Sequence, residues 1–176
     1  NAACATAPTS TSTPTSPPPT GGTSAPTNPV PTLLPSGKQW SDYLVSVKIR
    51  SVDNDAIGVL FRYQDADNYY RFTWFAEGAS RRLEKRVGGV LKVLAQDSAA
   101  YTPGQSYSLK ITANGSRLNV AVNDRTIYSV VDSSFRQGTI GLYSYYNAGS
   151  HFDDLVVQDI VTGNTLLSDN FSDSNY

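Results

Sequence analysis

The sequence of 176 residues has a single cysteine, no excess of basic residues and no long apolar run. One cysteine excludes an internal disulfide. Lysine and arginine number 14 against 15 acidic residues, so the net charge is -1 and no positive field exists to attract nucleic acid. No apolar run approaches the roughly 20 residues that a membrane-spanning helix needs. The composition therefore predicts partners that include neither nucleic acid nor a membrane interior.

The residues that enzymes of common hydrolytic classes need are also scarce. The one histidine, His151, has no G-x-S-x-G nucleophile elbow to work with. The two glutamates, Glu77 and Glu84, do not form the E-x-D-x-x-E signature of jelly-roll glucanases, and glycoside hydrolysis needs two carboxylates about 5–9 Å apart. Phosphate-loop and zinc signatures are missing too. We therefore expect no enzyme and predict no catalytic residue.

Alternation of apolar and polar residues dominates the chain from Trp40 onward. Tyr43, Val45, Val47 and Ile49 share one face of a predicted strand, and polar residues occupy the other. Further strands are predicted over residues 56–63, 68–75, 81–87, 90–95, 105–113, 117–122, 125–130, 138–145 and 152–161. The fold class is therefore all-β, a two-sheet antiparallel jelly-roll sandwich.

Turn residues separate these strands, and helix signals are few. Gly88-Gly89 and Asn114-Gly115-Ser116 are suited to the positive φ angles of tight hairpins. Only residues 132–136 suggest a single helical turn. The turns thus favour antiparallel pairing of neighbouring strands.

The N-terminal segment has a different composition. Residues 1–32 are rich in threonine, serine and proline and carry no charge, so they lack the apolar side chains that would offset ordering entropy. Such tracts are typical of extended linkers, or of O-glycosylated stalks in secreted proteins. We expect an extracellular or cell-surface location. The candidate glycosylation sites are Thr11, Thr13 and Thr15 in this tail and Asn114 in the Asn114-Gly115-Ser116 sequon.

Several motifs resemble a known superfamily. They are Trp40-Ser41-Asp42-Tyr43, the segments 53–59, 61–63 and 68–72, Gly138 to Tyr143, and Phe152-Asp153-Asp154. Over about Leu33 to Val161 the chain resembles a bacterial branch of the concanavalin A-like (laminin-G-like) jelly-roll superfamily. Similar domains include the thrombospondin C-terminal lectin-like domain and levan-binding carbohydrate modules. The resemblance implies a fold that hosts lectins, adhesins, glycosidases and structural modules, and so does not identify a ligand.

The chain departs from that pattern at its ends. Domains of this kind open with a segment like "FSD" some forty residues before the Trp-Ser-Asp-Tyr motif, whereas here Leu166 to Asp173 carries such a segment at the C-terminus. We therefore divide the chain into residues 1–32, a sandwich over 33–165 and a C-terminal strand over 166–176. That strand completes either its own sheet, as in a circular permutation, or the sheet of a neighbouring copy.

Aromatic and basic residues predict the binding surface. Tyrosines and tryptophans are dense over residues 63–74 and 143–146, and arginine beside aromatic rings is suited to sugar hydroxyls or carboxylates. Half of these rings are expected in the core. The predicted exposed, ligand-binding set is Arg62, Tyr69, Arg71, Arg82 and Lys85. The basic run 81–86 has an alternative role as a solvated edge that prevents aggregation.

Acidic turns predict a structural calcium site. Calcium takes six to eight oxygen ligands from carboxylates and carbonyls. The resemblance implies a metal between the opening and final strands, which here selects Asp153, Asp154 and, if the C-terminal segment acts as the opening strand, Asp169. The alternative is that such residues only form turns.

The predicted function is a non-catalytic extracellular module that binds a glycan or matrix, with a polysaccharide or glycoprotein as its partner. The alternative is a structural subunit of an extracellular fibre, whose partner is another copy of the chain held by a donated strand or by an ordered tail.

Overall fold

The computed structural model describes residues 32–34 and 38–172. This part of the chain is built of β-strands and contains no helix. The strands are β1 (Thr32–Leu34), β2 (Tyr43–Ser51), β3 (Ala56–Asp65), β4 (Asn68–Phe75), β5 (Ser80–Val87), β6 (Val90–Asp97), β7 (Ser106–Asn114), β8 (Arg117–Val122), β9 (Arg125–Val131), β10 (Thr139–Tyr145), β11 (Ser150–Asp159) and β12 (Thr165–Asp169). The all-β prediction is confirmed. Residues 1–31, including Thr11, Thr13 and Thr15, lie outside the described residues.

Two six-stranded antiparallel sheets form a sandwich. Sheet 1 has the order β1-β10-β3-β4-β5-β6, and sheet 2 has the order β12-β11-β2-β7-β8-β9. The alternation read from the sequence places its apolar faces between the sheets: Tyr43, Val45, Val47 and Ile49 are at most 1% exposed. Opposite them, sheet 1 contributes Phe61 and other buried side chains to the same core. No helix among the described residues is long and apolar enough to cross a membrane.

The predicted turns form as expected, with one exception. Gly88, Gly89 and Gly115 have φ angles of 55°, 81° and 54°, which explains glycine at these hairpins. Residues 132–136 form an irregular connection with bends at Ser134 and Arg136, and no helical turn. There the Asp132 carboxylate accepts a hydrogen bond from the Ser134 backbone N–H at 2.9 Å, a local bond that competes with helix formation.

The C-terminal strand belongs to the sandwich of its own chain. β12 pairs antiparallel with β11, with Leu155 opposite Asp169, and forms the edge of sheet 2. Leu166, Leu167 and Phe171 are half-buried against the main core. This pairing corresponds to the first of the two alternatives for the segment. Assembly into a fibre stays a prediction, as do the domain boundaries.

Candidate functional site

Polar and aromatic side chains share the outer face of sheet 1, the face turned away from the core. The strand register places Arg71 beside Glu84 and Thr73 beside Arg82. On the other side of β3, Tyr143 pairs with Gly58, which itself pairs with Thr73. We call this surface the site face, and define it by the outward residues Leu60, Tyr69, Arg71, Thr73, Phe75, Arg82, Glu84, Arg86, Tyr143 and Tyr145.

An ion pair lies at the centre of the site face. The Nε and Nη2 atoms of Arg71 donate to Oε2 of Glu84 at 3.0 and 2.7 Å, and the Thr73 hydroxyl lies 3.4 Å from the same oxygen. Glu84 is 2% exposed and Thr73 1%. The remaining Arg71 nitrogen, Nη1, donates to the Tyr143 hydroxyl at 3.1 Å. The guanidinium group of Arg71 is therefore fixed in orientation by partners on two other strands, Glu84 on β5 and Tyr143 on β10.

A glycine explains how Arg71 reaches Tyr143. Arg71 is on β4 and Tyr143 on β10, and β3 lies between them. The Arg71 guanidinium carbon is nevertheless only 4.7 Å from the centre of the Tyr143 ring. Gly58 has no side chain to block this route, and a Cβ at that position would lie 1.9 Å from the Phe72 carbonyl oxygen. The absent side chain thus allows the guanidinium to cross β3.

Neighbouring groups keep the Arg71 guanidinium charged. Burial acts to lower the pKa of Arg71, but the Glu84 carboxylate and Tyr143 outweigh it and the pKa is raised. Burial raises the pKa of Tyr143, against the opposing effect of Arg71. At neutral pH the face therefore presents a charged guanidinium held next to a neutral phenol, and both groups can form hydrogen bonds.

Aromatic rings flank the ion pair at both ends. Tyr63 stacks on Tyr69 with ring centres 5.8 Å apart and planes 15° apart. At the other end Tyr145 packs edge-on against Tyr146 at 4.5 Å, and Tyr146 is 57% exposed. Flat aromatic surfaces beside fixed polar groups match what a sugar ring offers, an apolar face and a rim of hydroxyls.

The five predicted ligand-binding residues do not share one surface. Tyr69, Arg71 and Arg82 lie on the site face, whereas Arg62 and Lys85 do not. The prediction that all five are exposed is wrong for Arg62, which is 0% exposed, and for Tyr69, which is 7% exposed. Their roles in binding remain predictions.

Arg62 is a buried structural residue. Its guanidinium donates to the Ser41 carbonyl at 2.8 Å, to the Gly115 carbonyl at 2.6 Å and to the Phe135 carbonyl at 2.9 Å. Asp42 completes the set at 3.3 Å. The side chain turns inward because the φ angle of Arg62 is 46° and the pairing of β3 with β4 shifts register there. Arg62 therefore connects four segments of the sandwich.

Lys85 is on the core-facing side of β5, like Leu83. Its ammonium group lies 2.6 Å from the Asp132 carboxylate and 2.8 Å from the Ser134 hydroxyl. The Tyr70 hydroxyl also donates to Asp132, at 2.6 Å. Burial acts to raise the pKa of Asp132, but the hydrogen bonds from Lys85, Tyr70 and Ser134 lower it well below its usual range.

Replacing Asp132 with asparagine should lower the free energy of unfolding by about 2 kcal/mol at pH 7, because a charged hydrogen-bond acceptor is lost. Since the folded pKa is depressed, this contribution is present above the unfolded pKa of about 4 and is lost as pH falls below it. The difference between wild type and variant should narrow from pH 4 to pH 2.5 in urea denaturation. Asp124→Asn is the control, since Asp124 is 76% exposed. A difference independent of pH would contradict this account.

The predicted ligand-binding set left out Glu84, Thr73 and Tyr143, which the structure places on the site face. Two of them could have been found from alternation along a strand, because residues two positions apart share a face. Glu84 is two residues from Arg82, and Thr73 is two residues from Arg71. Tyr143 needed the sheet order, because only the pairing of β10 with β3 brings it beside Gly58.

The acidic residues serve turns and surface ion pairs. Among residues 32–34 and 38–172, no three histidine, cysteine or carboxylate side chains converge as metal ligands. Asp154 pairs with Lys48 at 2.5 Å, and β12 brings Asp169 opposite Leu155. Asp153 accepts the backbone N–H of Asp154 at 2.8 Å. Calcium at these aspartates stays a prediction.

Two further acidic turns of the chain, at Asp53 and Asp65, also show ordinary turn chemistry. Asp53 accepts backbone N–H groups from Asn54 at 2.8 Å and Ala148 at 3.0 Å. Asp65 accepts from the backbone of Asp67 at 2.8 Å. Asn114 is exposed at the turn between β7 and β8, where its glycosylation remains a prediction.

The fold has relatives among solved structures. A carbohydrate binding module, CBM66, from Bacillus subtilis is 26% identical with a TM-score of 0.63, over 69% of this chain and 77% of that one. The galectin LEC-6 of Caenorhabditis elegans is 16% identical with a TM-score of 0.55, over 76% and 92%. A Bacillus subtilis protein of unknown function with a galectin-like fold is 13% identical with a TM-score of 0.58, over 69% and 74%. The fold is thus the jelly-roll sandwich found in carbohydrate-binding modules and galectins.

The family follows from the sequence profile. Residues 19–158 match the 3-keto-alpha-glucoside-1,2-lyase-like domain, so the chain belongs to this family. No match to a curated protein sequence was found. The finer resemblance, to thrombospondin-like and levan-binding domains, remains a prediction.

Proposed function

We propose that this chain is a non-catalytic, extracellular module that binds a polysaccharide or the glycan of a glycoprotein through the site face. The observation that carries the proposal is the fixed Arg71–Glu84 pair with aromatic rings on both sides. The similarity to a carbohydrate binding module at 26% identity supports it. The location rests on the composition of residues 1–32 alone.

The chemistry of the site face favours binding over catalysis. An elimination or hydrolysis needs a base free to take a proton. Glu84 is 2% exposed, and its Oε2 already accepts two hydrogen bonds from Arg71. A carboxylate held this way orients the guanidinium, whose other hydrogens point to ligand hydroxyls. The lyase-like description of the family gives the opposing hypothesis, that the site face is catalytic. The experiment must distinguish binding from catalysis.

Arg71→Lys should weaken glycan binding about ten- to a hundredfold, because the ammonium group cannot keep the forked contacts to Glu84 and Tyr143 while it binds a ligand. Tyr63→Ala should weaken it by a similar factor through the lost aromatic surface. Binding is measured by affinity electrophoresis in gels that contain neutral or acidic polysaccharides, followed by calorimetry. Arg117→Ala, an exposed arginine of sheet 2, is the control.

Two results would contradict the proposal. One is the absence of binding to every polysaccharide tested with the folded wild type. The other is turnover of a 3-keto-α-glucoside that disappears in Glu84→Gln, which would make the site face an active site.

A further inference from the structure

Three arginines lie on the site face, and one of them lacks an acidic partner. Arg71 pairs with Glu84 at 2.7 Å and Arg86 with Asp67 at 3.2 Å. Arg82 has no carboxylate within ion-pair distance in the part of the chain that the structure describes. Counting these five charges, the face has one uncompensated positive charge, and it belongs to Arg82.

The structure packs the Arg82 guanidinium against neighbouring residues but gives it no carboxylate partner. Arg82 lies opposite Thr73 on β4 and Gln96 on β6. Its guanidinium carbon is 5.9 Å from the centre of the Phe75 ring, close enough for a cation–π contact. Its Nε atom is buried and has no hydrogen-bond partner. Arg86 shares this feature, so what distinguishes Arg82 is that no carboxylate compensates its charge among the described residues, and an anionic ligand would supply one.

A cavity adjoins this guanidinium. It has a volume of about 310 Å³, and its lining includes Arg82, Ser80, Gln96, Ser98 and Asp97. The hydroxyl and amide groups are suited to sugar hydroxyls. Arg82 belongs both to the cavity lining and to the site face, so the two surfaces are continuous.

The acidic residue of the cavity does not cancel the charge of Arg82. Both oxygens of Asp97 accept from Arg81, at 2.9 and 2.7 Å. The hydrogen bond from Arg81 lowers the pKa of Asp97, so this carboxylate stays ionised and paired. Arg81 and Asp97 therefore neutralise each other, and Arg82 gives the cavity its net positive charge.

We propose that the glycan bound by the site face is acidic, a polysaccharide of uronic acid units, and that Arg82 binds the sugar carboxylate. A planar carboxylate matches the planar guanidinium fork, which gives two parallel hydrogen bonds of about 2.7–2.9 Å. The sugar ring lies against Phe75, and its hydroxyls reach the polar lining of the cavity. This inference rests on the proposed function and specifies its ligand class.

The test compares each polyuronate with its own methyl ester, which keeps the backbone and removes the charge. Polygalacturonate, alginate and hyaluronate are the probes, each in both forms, with calorimetry at fixed salt. We expect at least one acid form to bind about ten- to a hundredfold more tightly than its ester. Arg82→Gln should abolish that difference, and Arg82→Lys should retain part of it.

Lys92→Gln is the control for general charge attraction, because Lys92 is exposed on the opposite side of β6 and should leave the preference unchanged. The urea unfolding midpoint of each variant verifies folding. Equal binding of acid and ester forms, or a preference that survives in Arg82→Gln, overturns the inference and leaves the proposed function standing. Failure of all acidic and neutral polysaccharides to bind overturns both.

Discussion

Replacing Arg62 with methionine is expected to reduce the free energy of unfolding by about 3–5 kcal/mol, the largest loss for any single side chain discussed above. The guanidinium supplies the donors for the carbonyls of Ser41, Gly115 and Phe135. Methionine keeps the apolar part of the side chain and leaves the buried Phe135 carbonyl and the partly buried Ser41 and Gly115 contacts without this donor. Urea denaturation at pH 7 measures the difference.

Two variants make this experiment specific. Arg62→Lys keeps the charge but offers a single ammonium group, so its loss should fall between those of wild type and Arg62→Met. Arg117→Met removes an exposed arginine of β8 and should change stability by less than about 0.5 kcal/mol. If Arg62→Met costs no more than Arg117→Met, the structural role assigned to Arg62 is wrong.

Gly58→Ala should affect both stability and binding. A Cβ at this position would lie 1.9 Å from the Phe72 carbonyl oxygen, a backbone atom that moves only if β3 and β4 separate. We expect a loss of about 3 kcal/mol in the free energy of unfolding, at the upper end for overpacking. The same shift would displace Arg71, so glycan binding should weaken at least about tenfold. Chemical denaturation and affinity electrophoresis measure the two effects.

Gly163→Ala serves as the matched control. Gly163 has a φ angle of 73°, and no atom lies within 4 Å of the place that an added methyl group would occupy, so the substitution adds only backbone strain of about 1–2 kcal/mol. Binding by Gly163→Ala should equal that of wild type. A Gly58→Ala variant as stable as Gly163→Ala, with normal binding, would show that the strands accommodate the added carbon freely.

The fold was predictable because period-2 alternation is clear in several strands, among them β2, β7 and β8. β2 is the clearest case, with Tyr43, Val45, Val47 and Ile49 all buried as expected. β3 is buried on both faces over Ala56–Arg62, so alternation could not show which of its faces points toward the core. The sheet order could not be derived from alternation, because it depends on which strands pair across distant parts of the sequence, as β10 does with β3.

The candidate site was predictable in part, for reasons that differ between residues. Arg71 and Arg82 follow the alternation and lie on the outer face. Arg62 would face outward by the same rule, but its positive φ angle and the irregular pairing beside it reverse the side chain. Lys85 was selected by charge, although its position two residues after Leu83 indicated the inner face. The position of a residue along its strand therefore predicted membership of the site better than its residue type did.

The contacts of Arg62 join segments that are 21, 53 and 73 residues away in sequence. Contacts over such distances carry the entropic cost of closing long loops, so we expect them to form late in folding. Interactions absent from the folding transition state govern the rate of unfolding. We therefore expect loss of the Arg62 side chain to speed unfolding more than it slows folding, so that the lifetime of the native sandwich depends on this residue.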